Sequence, residues 1–152
     1  MNPIDKLDKV AEKARADEAR AARGLNASRE RHEASSAQLD QLQRFKAEYE
    51  ARLAQVAAGG ISPRQLEDYR RFLANLNRAI TTQDGEVARS SAELQQQREV
   101  MARQRQRSNG LEDYLARRRL EASQAEERRA QRVADDQHAS QAAAPGEHDG
   151  EP

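Results

Sequence analysis

The sequence predicts an all-α protein: a long antiparallel two-helix coiled-coil hairpin with a C-terminal helical overhang and a disordered acidic tail. Three observations predict it. Charged residues make up 34% of the chain and aromatic ones only 3%, too few bulky side chains for a conventional globular core. Apolar residues recur in alternating steps of three and four along most of the chain, a periodicity that coiled coils sustain and compact domains rarely do. One cluster, Ala57-Ala58-Gly59-Gly60-Ile61-Ser62-Pro63, breaks that pattern with helix-stop and helix-start chemistry.

The first helix is expected over about residues 3–58. Its seam, counted from Ile4, runs through positions 4, 7, 11, 14, 18, 21, 25, 28, 32, 35, 39, 42, 46, 49, 53 and 56, and 11 of these 16 residues are apolar. The frame never slips. The turn is expected at 59–62, where two glycines suit a helix C-terminus and a tight reversal. Ser62 is a good N-cap, Pro63 fits the first helical position, and Gln65 completes a capping box. Ile61 and Leu66 stand where a hydrophobic staple would form. The second helix is expected over about 63–138. Its seam runs from Leu66 through 69, 73, 76, 80, 83, 87, 90, 94, 97, 101, 104, 108, 111, 115, 118, 122 and 125, with 12 of 18 apolar. Gly85 and Asn109-Gly110 fall inside it. Each interior glycine costs about 1 kcal/mol against alanine, which predicts local softness or a kink there.

A short reversal between two long helices makes an antiparallel pair. Seam positions whose numbers sum to 122 then face each other: Tyr49 with Leu73, Leu42 with Ile80, His32 with Ser90, Ala11 with Leu111. The first helix is used up near Arg118, so about 20 residues of the second overhang, roughly 30 Å at helical rise. The middle of the seam is polar (Ser28, His32, Ser35, Gln83, Gln97, Gln104), which lowers stability and can specify register.

The formal net charge is zero, from 26 basic and 26 acidic residues, but it is unevenly spread. Residues 1–134 carry +5 and residues 135–152 carry −5. Residues 141–152, rich in Ala, Pro, Gly and acid, read as a disordered tail. No run is apolar enough to span a membrane, and the opening residues lack the features of a secretory signal, so the cytoplasm is the expected compartment. The chain has no Cys. The three His are scattered, without metal-ligand spacing, and no phosphate loop or nucleophile–base set occurs. No metal, no cofactor and no catalytic residue is expected, and the chain is not expected to be an enzyme.

Two features remain that could recognise partners. Arg117, Arg118, Arg119, Arg128, Arg129 and Arg132 concentrate basic charge on the overhang. They read either as a solvated helix face or as a site for an acidic partner. Nucleic acid is disfavoured by interleaved acids and the lack of nearby aromatics. The second feature is aromatic: every aromatic residue but Tyr114 lies between 45 and 72. Phe45 and Phe72 lie off the seam, on neighbouring stripes at 4-3-4 spacing: Gln38, Leu42, Phe45, Tyr49 and Phe72, Leu76, Ala79, Gln83. Together they predict an exposed apolar patch beside the turn, as binding sites commonly are, or else a widened core that receives an extra helix or a dimer mate.

Ile61-Ser62-Pro63-Arg64-Gln65-Leu66-Glu67-Asp68-Tyr69-Arg70-Arg71-Phe72-Leu73-Ala74-Asn75-Leu76-Asn77-Arg78-Ala79-Ile80-Thr81-Thr82-Gln83 resembles the central segment of the flagellar export FliJ family. Gln38-Leu39, Leu42, Phe45 and Tyr49, and the late Arg/Glu-rich helix ending in Asp135-Asp136, are also similar. The resemblance extends to about residue 140; its centre is fairly specific and its flanks are generic coiled coil. It implies a soluble component of the flagellar type III export apparatus, peripheral to the membrane, with a coiled coil like the stalk subunit of rotary ATPases. It implies three partners: the hexameric export ATPase FliI, the export gate protein FlhA, and export chaperones. The family's gate-contact surface maps onto Gln38, Leu42, Phe45, Tyr49, Phe72, Leu76, Ala79 and Gln83. The open end, with the six arginines, would enter the ATPase ring. Position 45 is Phe where Tyr is common, and Gln83 stands where the family can carry His. The alternatives are the equivalent stalk protein of a virulence secretion system and a plain coiled-coil scaffold. The hairpin itself predicts a monomer in isolation.

Overall fold

The computed structural model describes residues 2–143. The expected tail lies largely outside them. The described residues form two helices, α1 (Pro3–Ala58) and α2 (Pro63–Ala142), with no strand. Gln141 and Ala142, assigned to the tail on composition, are the last helical residues. Alanine-rich sequence with strong helix formers and no interior proline explains the length of both helices.

Each helix start is capped. Asn2 stands before Pro3, and its Oδ1 accepts from the Ile4 amide at 3.2 Å. Ser62 and Gln65 form the reciprocal capping box. The Gln65 amide donates to Ser62 Oγ at 3.2 Å, and the Ser62 amide to Gln65 Oε1 at 3.3 Å. At the end of α1 the Gly59 and Gly60 amides donate to the Val56 and Ala57 carbonyls, each at 3.2 Å. Gly60 adopts φ 92°, a left-handed conformation that glycine takes without a Cβ penalty. Gly85 and Gly110 lie within unbroken α2.

The chain divides into two compact units. One, the turn unit, is Arg15–Gln106; the other, the terminal unit, comprises Met1–Ala14 and Arg107–Pro152. In the turn unit the two helices pair antiparallel across the Gly59–Ser62 reversal. The cross-helix contacts follow the expected register. His32 Nδ1 meets Ser90 Oγ at 3.1 Å, and Arg31 pairs with Glu93 at 3.8 Å and Arg105 with Glu18 at 3.7 Å. These ion pairs are largely exposed and contribute at most about 1 kcal/mol each.

The turn unit's core is thin. Ala21, Leu76, Leu94 and Met101 are buried with Ser28, Gln83 and Ser90. Its polar residues are bonded rather than tolerated. Ser90 Oγ donates to the Val87 carbonyl at 3.0 Å, so its lone pairs accept from His32 Nδ1–H. Gln83 Nε2 donates across the seam to the Ser35 carbonyl at 2.9 Å, and Arg31 donates to Ser28 Oγ at 3.0 Å. Gln104 Oε1 is buried and has no hydrogen-bond partner among the described residues. In the terminal unit the buried residues are Ala11, Ala14, Ser108 and Leu115. Small side chains bring the backbones close but remove little apolar area from water, and hydrophobic stabilisation scales with that area.

Candidate partner-binding surfaces

In the turn unit the two stripes meet on one side of the hairpin. The α1 stripe is Gln38, Leu42, Phe45 and Tyr49; the α2 stripe is Phe72, Leu76, Ala79 and Gln83. The ring centroids of Tyr49 and Phe72 are 4.3 Å apart, and those of Phe45 and Phe72 stand edge-to-face at 6.1 Å. Tyr49 also stacks obliquely on Tyr69 at 5.3 Å. Contacts of this kind contribute about 0.5–1.5 kcal/mol beyond their buried area.

The cluster holds together from within yet stays open to solvent. Phe45 retains 48% of its surface and Phe72 39%. Leu42 and Tyr49 are half-buried, whereas Gln38 and Ala79 are exposed. Leu76 is buried, and Gln83 is buried and spends its amide on Ser35. These two therefore belong to the inner edge of the stripes, and the accessible face is Gln38, Phe45, Phe72 and Ala79. Beside Phe45 an open depression is walled by Ala37, Gln41, Arg44 and Glu48, so a polar margin adjoins the aromatic surface. Loss of hydration among the rings pushes the Tyr49 phenol above its ordinary value, with the neighbouring Tyr69 adding to the shift.

Tyr69 is the member that periodicity alone assigned only to the seam. It reaches the cluster because Tyr49, a seam residue itself, spans both Tyr69 and Phe72. The signal was available in the numbering, since 49 and 69 lie within one turn of facing each other.

The arginines lie in the terminal unit. Arg117, Arg118, Arg119, Arg128, Arg129 and Arg132 are all exposed. They differ in one respect: Arg119 Nη2 pairs with Asp8 Oδ1 across the helices, so its guanidinium contributes to holding α1 against α2. Beyond it, every described side chain from 126 to 143 is exposed, Val133 at 56% among them. Among the described residues of its own unit, this stretch of α2 has nothing packed over it and carries Arg128, Arg129 and Arg132 into solvent.

Among the described residues, no group of His, Asp and Glu is placed to hold a metal ion, and no helix is long and apolar enough to cross a membrane. The arrangement leaves two exposed surfaces, an aromatic one in the turn unit and a cationic one in the terminal unit. A family model described as Flagellar FliJ protein matches residues 3–147. Neither a curated protein nor a solved structure matches the chain.

Proposed function

The chain belongs to the FliJ family of flagellar proteins, which places its role in flagellar export, and within that role we propose that it is a non-catalytic coupling component. It carries separate surfaces for the export ATPase and the export gate. The observation that carries this reading is the exposed aromatic cluster of Phe45, Tyr49 and Phe72. A chain with so few aromatics gathers four of them on one side of a thin helical pair, and leaves two half open where a stable fold would gain by covering them. Clustered aromatics rimmed by polar groups are the composition of an interface centre.

In this reading the accessible face of Gln38, Phe45, Phe72 and Ala79, with half-buried Leu42 and Tyr49 between them, receives the gate protein FlhA. Leu76 and Gln83 hold its two edges in register. The solvent-exposed part of α2, with Arg128, Arg129 and Arg132, engages the hexameric ATPase FliI through acidic groups, with Arg117 and Arg118 at its margin. Export chaperones are a further class of partner. The protein acts as a monomer at the membrane periphery through the gate, without cofactor or metal. Its effect on hydrolysis comes from binding alone: it stabilises the assembled ring, and no bond is made or broken by its own side chains.

Titrating the full chain into the purified ATPase while following hydrolysis tests one surface, and binding to the soluble part of the gate protein tests the other. Arg128→Glu/Arg129→Glu/Arg132→Glu should lose the stimulation and keep the gate. Phe45→Ala/Phe72→Ala should do the reverse. Equal loss of both functions by either variant, with the helical content unchanged, refutes a two-surface protein. Stimulation without gate binding by the unaltered chain would leave only the ATPase role.

A further inference from the structure

Asn109-Gly110 is left unused by either surface. We infer that Asn109 is a site of spontaneous succinimide formation, converting to aspartate and isoaspartate at a rate gated by local opening of the terminal unit.

The chemistry needs only water. The Gly110 amide nitrogen attacks the Asn109 side-chain carbonyl carbon, forming a C–N bond. The side-chain nitrogen leaves as ammonia, taking up the proton that the Gly110 amide gives up. Water then opens the five-membered imide at either carbonyl, yielding aspartate or isoaspartate. Glycine as the following residue puts no Cβ in the path of attack and lets the backbone reach the geometry required.

The fold opposes this step and then weakens its own opposition. Both residues lie inside α2, where the Gly110 nitrogen is tied to the carbonyl four residues earlier. Cyclisation requires that bond to break. Yet Asn and Gly are poor helix formers, both are exposed, and nothing packs within 4 Å of the Gly110 Cβ position. The neighbouring turns are held by Ser108, Leu111 and Leu115, and the buried α1 residues of the same unit are the alanines 11 and 14. Little apolar area resists opening. Regions of low contact density with exposed backbone are where local unfolding concentrates.

The product matters to the same unit. An acid at 109 stands three and four residues before Glu112 and Asp113, on one helix face, where like charges destabilise the helix. Isoaspartate also adds a backbone atom beside buried Ser108, breaking the hydrogen-bond ladder at the seam.

The test is peptide mapping by mass spectrometry after incubating the full chain at neutral and mildly alkaline pH, folded and in denaturant. Asn26, Asn75 and Asn77, helical and followed by residues with side chains, are internal references. In the folded chain Asn109 should convert faster than all three, and more slowly than it does in denaturant. Leu115→Ala should raise the folded-state rate roughly tenfold or more, towards the denatured rate, because a buried Leu-to-Ala change shifts opening by at least that factor. It should leave the rate in denaturant unchanged. Conversion at Asn109 no faster than at Asn77 in the folded chain overturns the site. A folded-state rate indifferent to Leu115→Ala overturns the gating.

Discussion

Three glycines of the turn unit should respond to the same alanine substitution with different signs, and the structure sets each sign. At Gly85 the added methyl meets nothing within 4 Å, and the residue is in mid-helix. Gly85→Ala should therefore realise the helix-propensity difference, about 1 kcal/mol of added stability. At Gly24 the new Cβ would lie 3.0 Å from Gln97 Oε1. That atom ends a flexible side chain, so it can withdraw, and part of the propensity gain survives. At Gly60 space is free, but φ is 92°. Alanine there pays the left-handed penalty of about 1–2 kcal/mol, and Gly60→Ala should destabilise. Urea unfolding followed by circular dichroism reads all three. For a unit of this size a 1 kcal/mol change moves the midpoint by roughly 4–8 °C in a thermal scan. The denaturation slope should stay constant, since the surface exposed on unfolding is the same. A neutral or destabilised Gly85→Ala at constant slope would refute the claim that α2 is continuous and unpacked at that point. A tolerated Gly60→Ala would refute the turn.

Gln83→Leu removes the bond to the Ser35 carbonyl, but a helical carbonyl already has a backbone partner, so no polar group is orphaned; the Leu fills a seam position. The exchange should be neutral or stabilising by about 1 kcal/mol in thermal unfolding, and clear destabilisation would mean that the amide does more than pair. Because the folded Tyr49 phenol is raised above its ordinary value, the folded state holds its proton where the unfolded chain loses it. Stability from this group is present below the unfolded value of 10.0 and falls as pH climbs above it. Tyrosinate absorbance should show a late phase that Tyr49→Phe removes; if the late phase survives that substitution, the packing of the cluster is wrong.

Much of the fold was legible because a coiled coil is written in one dimension. Every seam position from Ile4 to Leu53 and from Leu66 to Leu115 is buried or half-buried, since side chains at alternating steps of three and four share one helix face. Register in the turn unit was legible too. A four-residue reversal leaves little slack, so His32 meets Ser90 as the numbering requires. The aromatic patch was half legible. Spacing placed Phe45 and Phe72 off the seam, and their exposure follows from that. Spacing could not say that Tyr49 would lean far enough to join Tyr69 and Phe72 into one cluster, because that depends on side-chain torsions.

By itself the sequence determined the helical class, the capped turn, the seam and the segregation of charge, all properties of neighbours along the chain. Only the tertiary structure decided which polar groups serve the interior. Gln83 spends its amide on a backbone carbonyl, Ser90 relays between His32 and Val87, and Arg119 turns to Asp8 while Arg128 and Arg132 remain in solvent. Composition treats those arginines alike. What separates them is whether an acidic residue of the other helix stands at the same level, and pairing across helices is set by three-dimensional register rather than by residue type.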